Sequence, residues 1–140
     1  MSVAVRATVL RLLESVQRGD LTGERIGGFF TADAVYHVQV PAMAKVTGPE
    51  AIAGELVRQT AHYSALECEI HRVVAGDGAV VVERTDHLVL PGGARVANEL
   101  VAVFEGDESG RITAWREYWD SVALGQRMKA AAGTTDEERR

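Results

Sequence analysis

The fold class this sequence predicts is α+β, with helices packed on the concave face of a curved, mainly antiparallel sheet. Two observations carry that prediction. From Val3 to His62 the apolar spacing is mostly helical, with one extended segment between. From Ala65 to Asp120 four extended segments follow one another through tight turns rich in glycine, the pattern of an antiparallel meander.

The elements follow in order. Val5, Val9, Leu12, Leu13 and Val16 lie three, four or one apart and form one stripe of a helix over Val3 to Val16. Gly19-Asp20 ends it. Asp20 to Phe30 is a weaker helical segment, because Gly27 and Gly28 lower its propensity. Ala34 to Val40 reads as a strand, followed by a loop through Pro41 to Gly48. Pro49 opens a helix running to His62, with Ile52, Leu56 and Gln59 on one face. The four strands of the meander are Ala65 to Ala75, Ala79 to Leu90, Arg95 to Glu105 and Arg111 to Asp120. Gly76-Asp-Gly78, Pro91-Gly-Gly93 and Gly106 through Gly110 make the turns.

A chain of 140 residues fits one domain, placed at residues 1–128 with a polar, unstructured tail over 129–140. A net charge of −5 argues against nucleic-acid binding, which needs a basic stripe. Arg6, Arg11 and Glu14 interrupt the first helix, so it is neither a signal segment nor a membrane span. With Cys68 the only cysteine, no internal disulfide forms, and a cytoplasmic protein without a membrane partner is expected. Cys68 reads as a small buried apolar residue. His37, His62, His71 and His87 lack metal-ligand spacing and read as solvated or structural, so no metal is expected.

The chemistry lies in charged residues on apolar strand faces. Side chains alternate along a strand. Val80, Val82, Arg84, Asp86, Leu88 and Leu90 therefore share a face, the more apolar one of their strand. Burying Arg84 and Asp86 is costly unless they are paired. In the last strand Ile112, Ala114, Arg116, Tyr118 and Asp120 share one face, and Thr113, Trp115, Glu117 and Trp119 the other. Both faces are mixed. If the first is inward, Asp120 joins Arg84 and Asp86, and Trp115 and Trp119 point outward as a surface for a second subunit. Two carboxylates bridged by an arginine suit acid–base work, since a like charge nearby raises one pKa. A structural ion pair at a sheet edge is the plainer alternative.

Glu83-Arg-Thr-Asp86 followed by Trp115-Arg-Glu-Tyr-Trp-Asp120 resembles the limonene-1,2-epoxide hydrolase family. That family carries an Arg-x-Asp pair on one strand and a second Asp closing a Trp-Arg-x-Tyr-aromatic-Asp strand. Val103-Phe-Glu105, Gly110-Arg-Ile112, and Tyr36 ahead of Pro41 and Gly48 extend the resemblance over roughly Phe30 to Asp120. It implies a curved mixed sheet in the cone-shaped NTF2-like fold, a homodimer, no cofactor, and one-step addition of water to a small apolar epoxide. Asp86 would protonate the epoxide oxygen, Asp120 would take a proton from water, Arg84 would bridge them, and Tyr36 would hold the water. Leu88 and Leu100 would line the pocket.

The chain departs from the family at one point. Val38 stands where the family has an asparagine that also holds the water. Asn98, on a face with Val96, Leu100, Ala102 and Phe104, is the expected replacement, with a satisfied structural amide the alternative; Gln39 lies on the wrong parity. The competing functions are an epoxide-opening polyketide or polyether cyclase, with a substrate hydroxyl in place of water, and a non-catalytic binding protein of the same fold.

Overall fold

The computed structural model describes residues 2–138. Its elements are α1 (Ser2–Arg18), α2 (Gly23–Gly27), β1 (Phe30–His37), β2 (Lys45–Thr47), α3 (Pro49–Thr60), β3 (Ala65–Gly76), β4 (Ala79–Val89), β5 (Arg95–Gly106), β6 (Ile112–Trp119) and α4 (Ser121–Glu138). The six strands form one sheet in the order β2-β1-β6-β5-β4-β3. All pairings are antiparallel except β1 with β6. The parallel pair joins the N-terminal half to the meander through the long connection that a parallel pairing requires. The α+β class, the mixed sheet and the helices packed against it are as the sequence predicts.

The α1 stripe is the buried stripe: Val5, Val9 and Leu12 are fully enclosed, and Leu13 and Val16 nearly so. Each aliphatic side chain removed from water in this way stabilises by about 1.5–3 kcal/mol. They pack with Ile52, Ala53 and Leu56 of α3 onto the inner face of the sheet, against Val80, Val82, Ala102 and Phe104. Gly106 lies directly under α1, where an added Cβ would run into Val5 and approach the Arg111 carbonyl at 2.9 Å.

Four elements differ from expectation. β1 begins at Phe30 and ends at His37, earlier than the strand read over Ala34 to Val40. β2 is three residues long, too short for periodicity to reveal. The segment before Phe30 is helical only over Gly23–Gly27, and Gly28 caps it. The tail read as unstructured from residue 129 is occupied by α4 through Glu138; Arg139 and Arg140 lie outside the described residues. Gly125 and Gly133 hide α4 in the sequence, since glycine lowers helix propensity. No helix among the described residues is long and apolar enough to cross a membrane.

The last strand carries the consequential difference. Pairing of β5 with β6 shifts between Glu105 and Gly106: Gly106 faces Ile112, yet Glu105 faces Ala114. Thr113 is an extra residue, and a one-residue bulge reverses the facing of all that follows. Ile112 is buried, and beyond the bulge the inward side chains are Trp115, Glu117 and Trp119.

Candidate active site

Cross-strand register places the polar residues in successive rows on the inner face. Arg84 of β4 sits opposite Leu100 of β5, which sits opposite Trp119 of β6. The neighbouring row holds Val82, Ala102 and Glu117; the row beyond it holds Phe104, Trp115 and Tyr36 of β1. On the other side of Arg84 lie Cys68, Asp86 and Asn98. These rows, with α3 across them, wall a cavity of about 220 Å³. Tyr36, Val38, Arg84, Asp86, Leu88, Asn98 and Leu100 all line it, as does Glu117.

Arg84 is the centre of the site. Its Nε donates to Asp86 Oδ1 at 2.9 Å and its Nη2 to Asp86 Oδ2 at 3.3 Å, a two-point grip. The same Nη2 donates to Glu117 Oε2 at 2.6 Å. Arg84 and Glu117 are buried, while Asp86 keeps slight exposure towards the cavity. Burial alone would push the guanidinium pKa down, but Glu117 and Asp86 overcome this and hold Arg84 charged. Burial pushes the Glu117 carboxyl above the usual glutamate range; Arg84 opposes that shift, and the Asp86 charge adds to it. Two carboxylates and one guanidinium sum to a net negative charge in a poorly solvated site, so retention of a proton by Glu117 is favoured.

Glu117 is further fixed from below. The indole Nε1 of Trp115 donates to its Oε2 at 3.1 Å. Tyr36 stacks on the same indole, with ring centroids 3.9 Å apart and planes 12° from parallel. The Tyr36 hydroxyl thereby lies 3.5 Å from Glu117 Oε1. That is longer than the usual O–H···O distance, so neither group is committed to the other and a bridging water has partners on both sides. Burial, then the Glu117 charge, raises the Tyr36 pKa well above its ordinary value, which keeps the phenol protonated as a donor.

Asp120 is not part of this constellation. The Thr113 bulge turns the strand over, so Asp120 is exposed at the end of β6, where its Oδ1 accepts the backbone N–H of Ala123 at 2.9 Å. It is the N-cap of α4. The second carboxylate beside Arg84 is Glu117, three residues earlier. Trp115 is 2% exposed, so it forms no outer aromatic surface. The signal for Glu117 was present in the sequence: it alternates with the two tryptophans, the bulkiest apolar side chains of that strand.

The remaining candidates sort by register. Asn98 lines the cavity beside Asp86, not beside Tyr36; it lies four positions from Ala102, the Glu117 row, roughly 13 Å along the strand. Gln39 is buried but committed elsewhere, donating to the Trp119 carbonyl at 2.8 Å and accepting from the Ala42 N–H at 3.1 Å. Cys68 lines the cavity with its thiol pushed up to about 12 by burial and the Asp86 charge, so it stays neutral and unreactive. His71 pairs with Thr85 at 2.8 Å and His87 with Glu69 at 2.8 Å, and neither bonds to Asp86 or Glu117. His62 lines the cavity but is exposed. Among the described residues no cluster of side chains could hold a metal ion.

Comparisons with known proteins give the chain's family and fold. Residues 4–129 match the family model described as "Limonene-1,2-epoxide hydrolase catalytic domain". Over 65 residues the chain is 45% identical to "Epoxide hydrolase EphG" of Mycobacterium tuberculosis (strain ATCC 25618 / H37Rv), a match taking in 46% of this chain and 42% of that protein's length. The solved structure of an M. tuberculosis LEH-like epoxide hydrolase superposes with a TM-score of 0.76 at 29% identity, covering 94% of this chain and 93% of the other. A SnoaL-like polyketide cyclase structure from Shewanella denitrificans OS-217 superposes with a TM-score of 0.78 over 90% of this chain and 97% of that one, and at 17% identity it shows the shared fold alone.

Proposed function

The chain belongs to the limonene-1,2-epoxide hydrolase family, and on that premise we propose that it adds water to a compact apolar epoxide in one acid–base step. The observation that carries this reading is the Arg84 bridge between Asp86 and Glu117 in a cavity that also holds the Tyr36 hydroxyl.

The roles follow from position. A water between Tyr36 and Glu117 accepts from the phenol and gives a proton to Glu117 Oε1. Its oxygen attacks one epoxide carbon as that C–O bond breaks. Asp86, on the cavity side of Arg84, first takes the site's proton from Glu117 and then gives it to the departing epoxide oxygen. The product is a diol, and the proton lost by Asp86 is matched by the one gained by Glu117, which restores the start. The raised pKa of Glu117 makes it the stronger base once ionised. Arg84 holds both carboxyls and stays charged throughout. Positioning of this kind, rather than covalent chemistry, supplies the rate.

The cavity suits a compact substrate. At about 220 Å³ it exceeds the engineered cavity of about 150 Å³ that admits benzene, yet falls below the roughly 300–1,000 Å³ usual for larger ligands. Leu56, Leu66, Leu88, Leu100 and Trp119 supply apolar walls.

A single turnover in heavy-oxygen water, with enzyme in excess over cyclohexene oxide, tests the proposal. Labelled diol is the expected result. Unlabelled diol, with label entering Asp86 or Glu117 over later turnovers, would mean that a carboxylate attacked carbon. A ring-closed product from a hydroxy-epoxide with no diol would mean that the enzyme is a cyclase.

A further inference from the structure

The family's water-holding amide is absent at Val38, and an amide from another element stands beside Tyr36 instead. Gln59 of α3 lines the cavity, and its Nε2 donates to the Tyr36 hydroxyl at 3.4 Å and to Glu55 Oε2 at 2.7 Å. Glu55 is itself gripped by Arg58, with Nε to Oε1 at 3.0 Å and Nη2 to Oε2 at 2.6 Å. These bonds hold the Glu55 carboxyl below the usual glutamate range against the opposing effect of burial, so it is charged and accepts only. A charged carboxylate fixes which end of the Gln59 amide faces it: the NH2 end. The second N–H then falls to Tyr36. With one lone pair of the phenol oxygen occupied by that donor, the phenol's own proton is left for Glu117 Oε1 or a water beside it.

Resting on the epoxide-hydrolase reading, we infer that Gln59, locked by Glu55, is the positioning residue of the water site. It acts through Tyr36, setting the phenol as the donor that holds the attacking water. The arrangement runs from the exposed Arg58 through Glu55, Gln59 and Tyr36 to Glu117, Arg84 and Asp86, and it ties α3 to the reacting pair on the sheet.

The experiment is a double-mutant cycle on cyclohexene oxide hydrolysis with Gln59→Met, Tyr36→Phe and the pair. Methionine keeps the length of the side chain and removes both donors. Gln59→Met alone should lower kcat by a factor on the order of ten to a hundred, the scale of one lost positioning contact, with KM changed far less. In the Tyr36→Phe background the same replacement should cost nothing further, because the hydroxyl it serves is gone. An equal loss in both backgrounds would make Gln59 a packing residue and overturn the inference while leaving the hydrolase reading intact. Unchanged kcat in Gln59→Met would do the same. If Gln59→Met fails to fold, Glu55→Ala frees the amide to turn and should show the same dependence on Tyr36. Absence of diol from the wild-type protein would overturn the proposed function and this role with it.

Discussion

Replacing Glu117 with Gln and, separately, Asp120 with Asn distinguishes the two carboxylates that compete for the role of base. Glu117 Oε2 accepts 2.6 Å from Arg84 Nη2 and 3.1 Å from Trp115 Nε1, and a glutamine carbonyl can accept both. Arg84 keeps its two-point grip on Asp86, so no buried cation is stranded. The fold should therefore survive, while the site loses its proton acceptor. General-base catalysis contributes roughly 10²–10⁴-fold, so turnover of Glu117→Gln should fall by about that factor. Asp120→Asn keeps a competent N-cap for Ala123, since Asn and Asp cap about equally, and should leave turnover and melting temperature almost unchanged. Glu117→Leu is the harsher control. It leaves Trp115 Nε1 without an acceptor and Arg84 Nη2 with Asp86 Oδ2 alone, beside an Arg84 Nη1 that already lacks a partner among the described residues. Arg84 stays paired with Asp86, so the cost is that of the unsatisfied buried donors, about 1–3 kcal/mol each. Diol formation from cyclohexene oxide and thermal melting are the assays. Full activity in Glu117→Gln together with a thousandfold loss in Asp120→Asn would refute the assignment.

Three further outcomes follow from the structure. kcat/KM should fall as pH rises through a value above the ordinary glutamate value of about 4.3, because burial raises Glu117 and loss of the one proton the carboxyl pair retains leaves none for the epoxide oxygen. A carboxyl raised on folding contributes its stability fully at low pH and loses it as pH rises through the raised value. The melting temperature of Glu117→Gln relative to wild type should therefore climb between acid and neutral pH, and a flat difference would contradict a raised Glu117. Gly106→Ala should destabilise by about 1–3 kcal/mol or more in chemical denaturation, since its Cβ would press on Val5 and the Arg111 carbonyl; unchanged stability would show that α1 can yield there.

Much of this protein is legible from local pattern, because the pattern is what burial selects. The stripe from Val5 to Val16 and the alternation of Val80, Val82, Arg84 and Asp86 name the inner faces of α1 and β4 without any coordinates. Those two readings, with the glycine-rich turns, determine the α+β class. They also mark Arg84 and Asp86 as charges that need a partner. Tyr36 and the Arg-x-Asp motif are placed by resemblance, and the structure gathers Tyr36, Arg84 and Asp86 around one cavity.

The partner itself was decided by tertiary structure. Alternation along β6 holds only if the ladder has no insertion, and the extra residue at Thr113 is visible solely in its pairing with β5. One residue of slip moves Asp120 to the surface and brings Glu117 to Arg84. Gln59 shows the same limit from the other side: as a polar residue on the apolar face of α3 with Ile52 and Leu56 it is conspicuous in the sequence, but nothing local says that Tyr36 lies across from it. Periodicity reports which way a side chain points within its own element. Register, bulges and the packing of a helix over a sheet set what it meets, and those are properties of the whole chain.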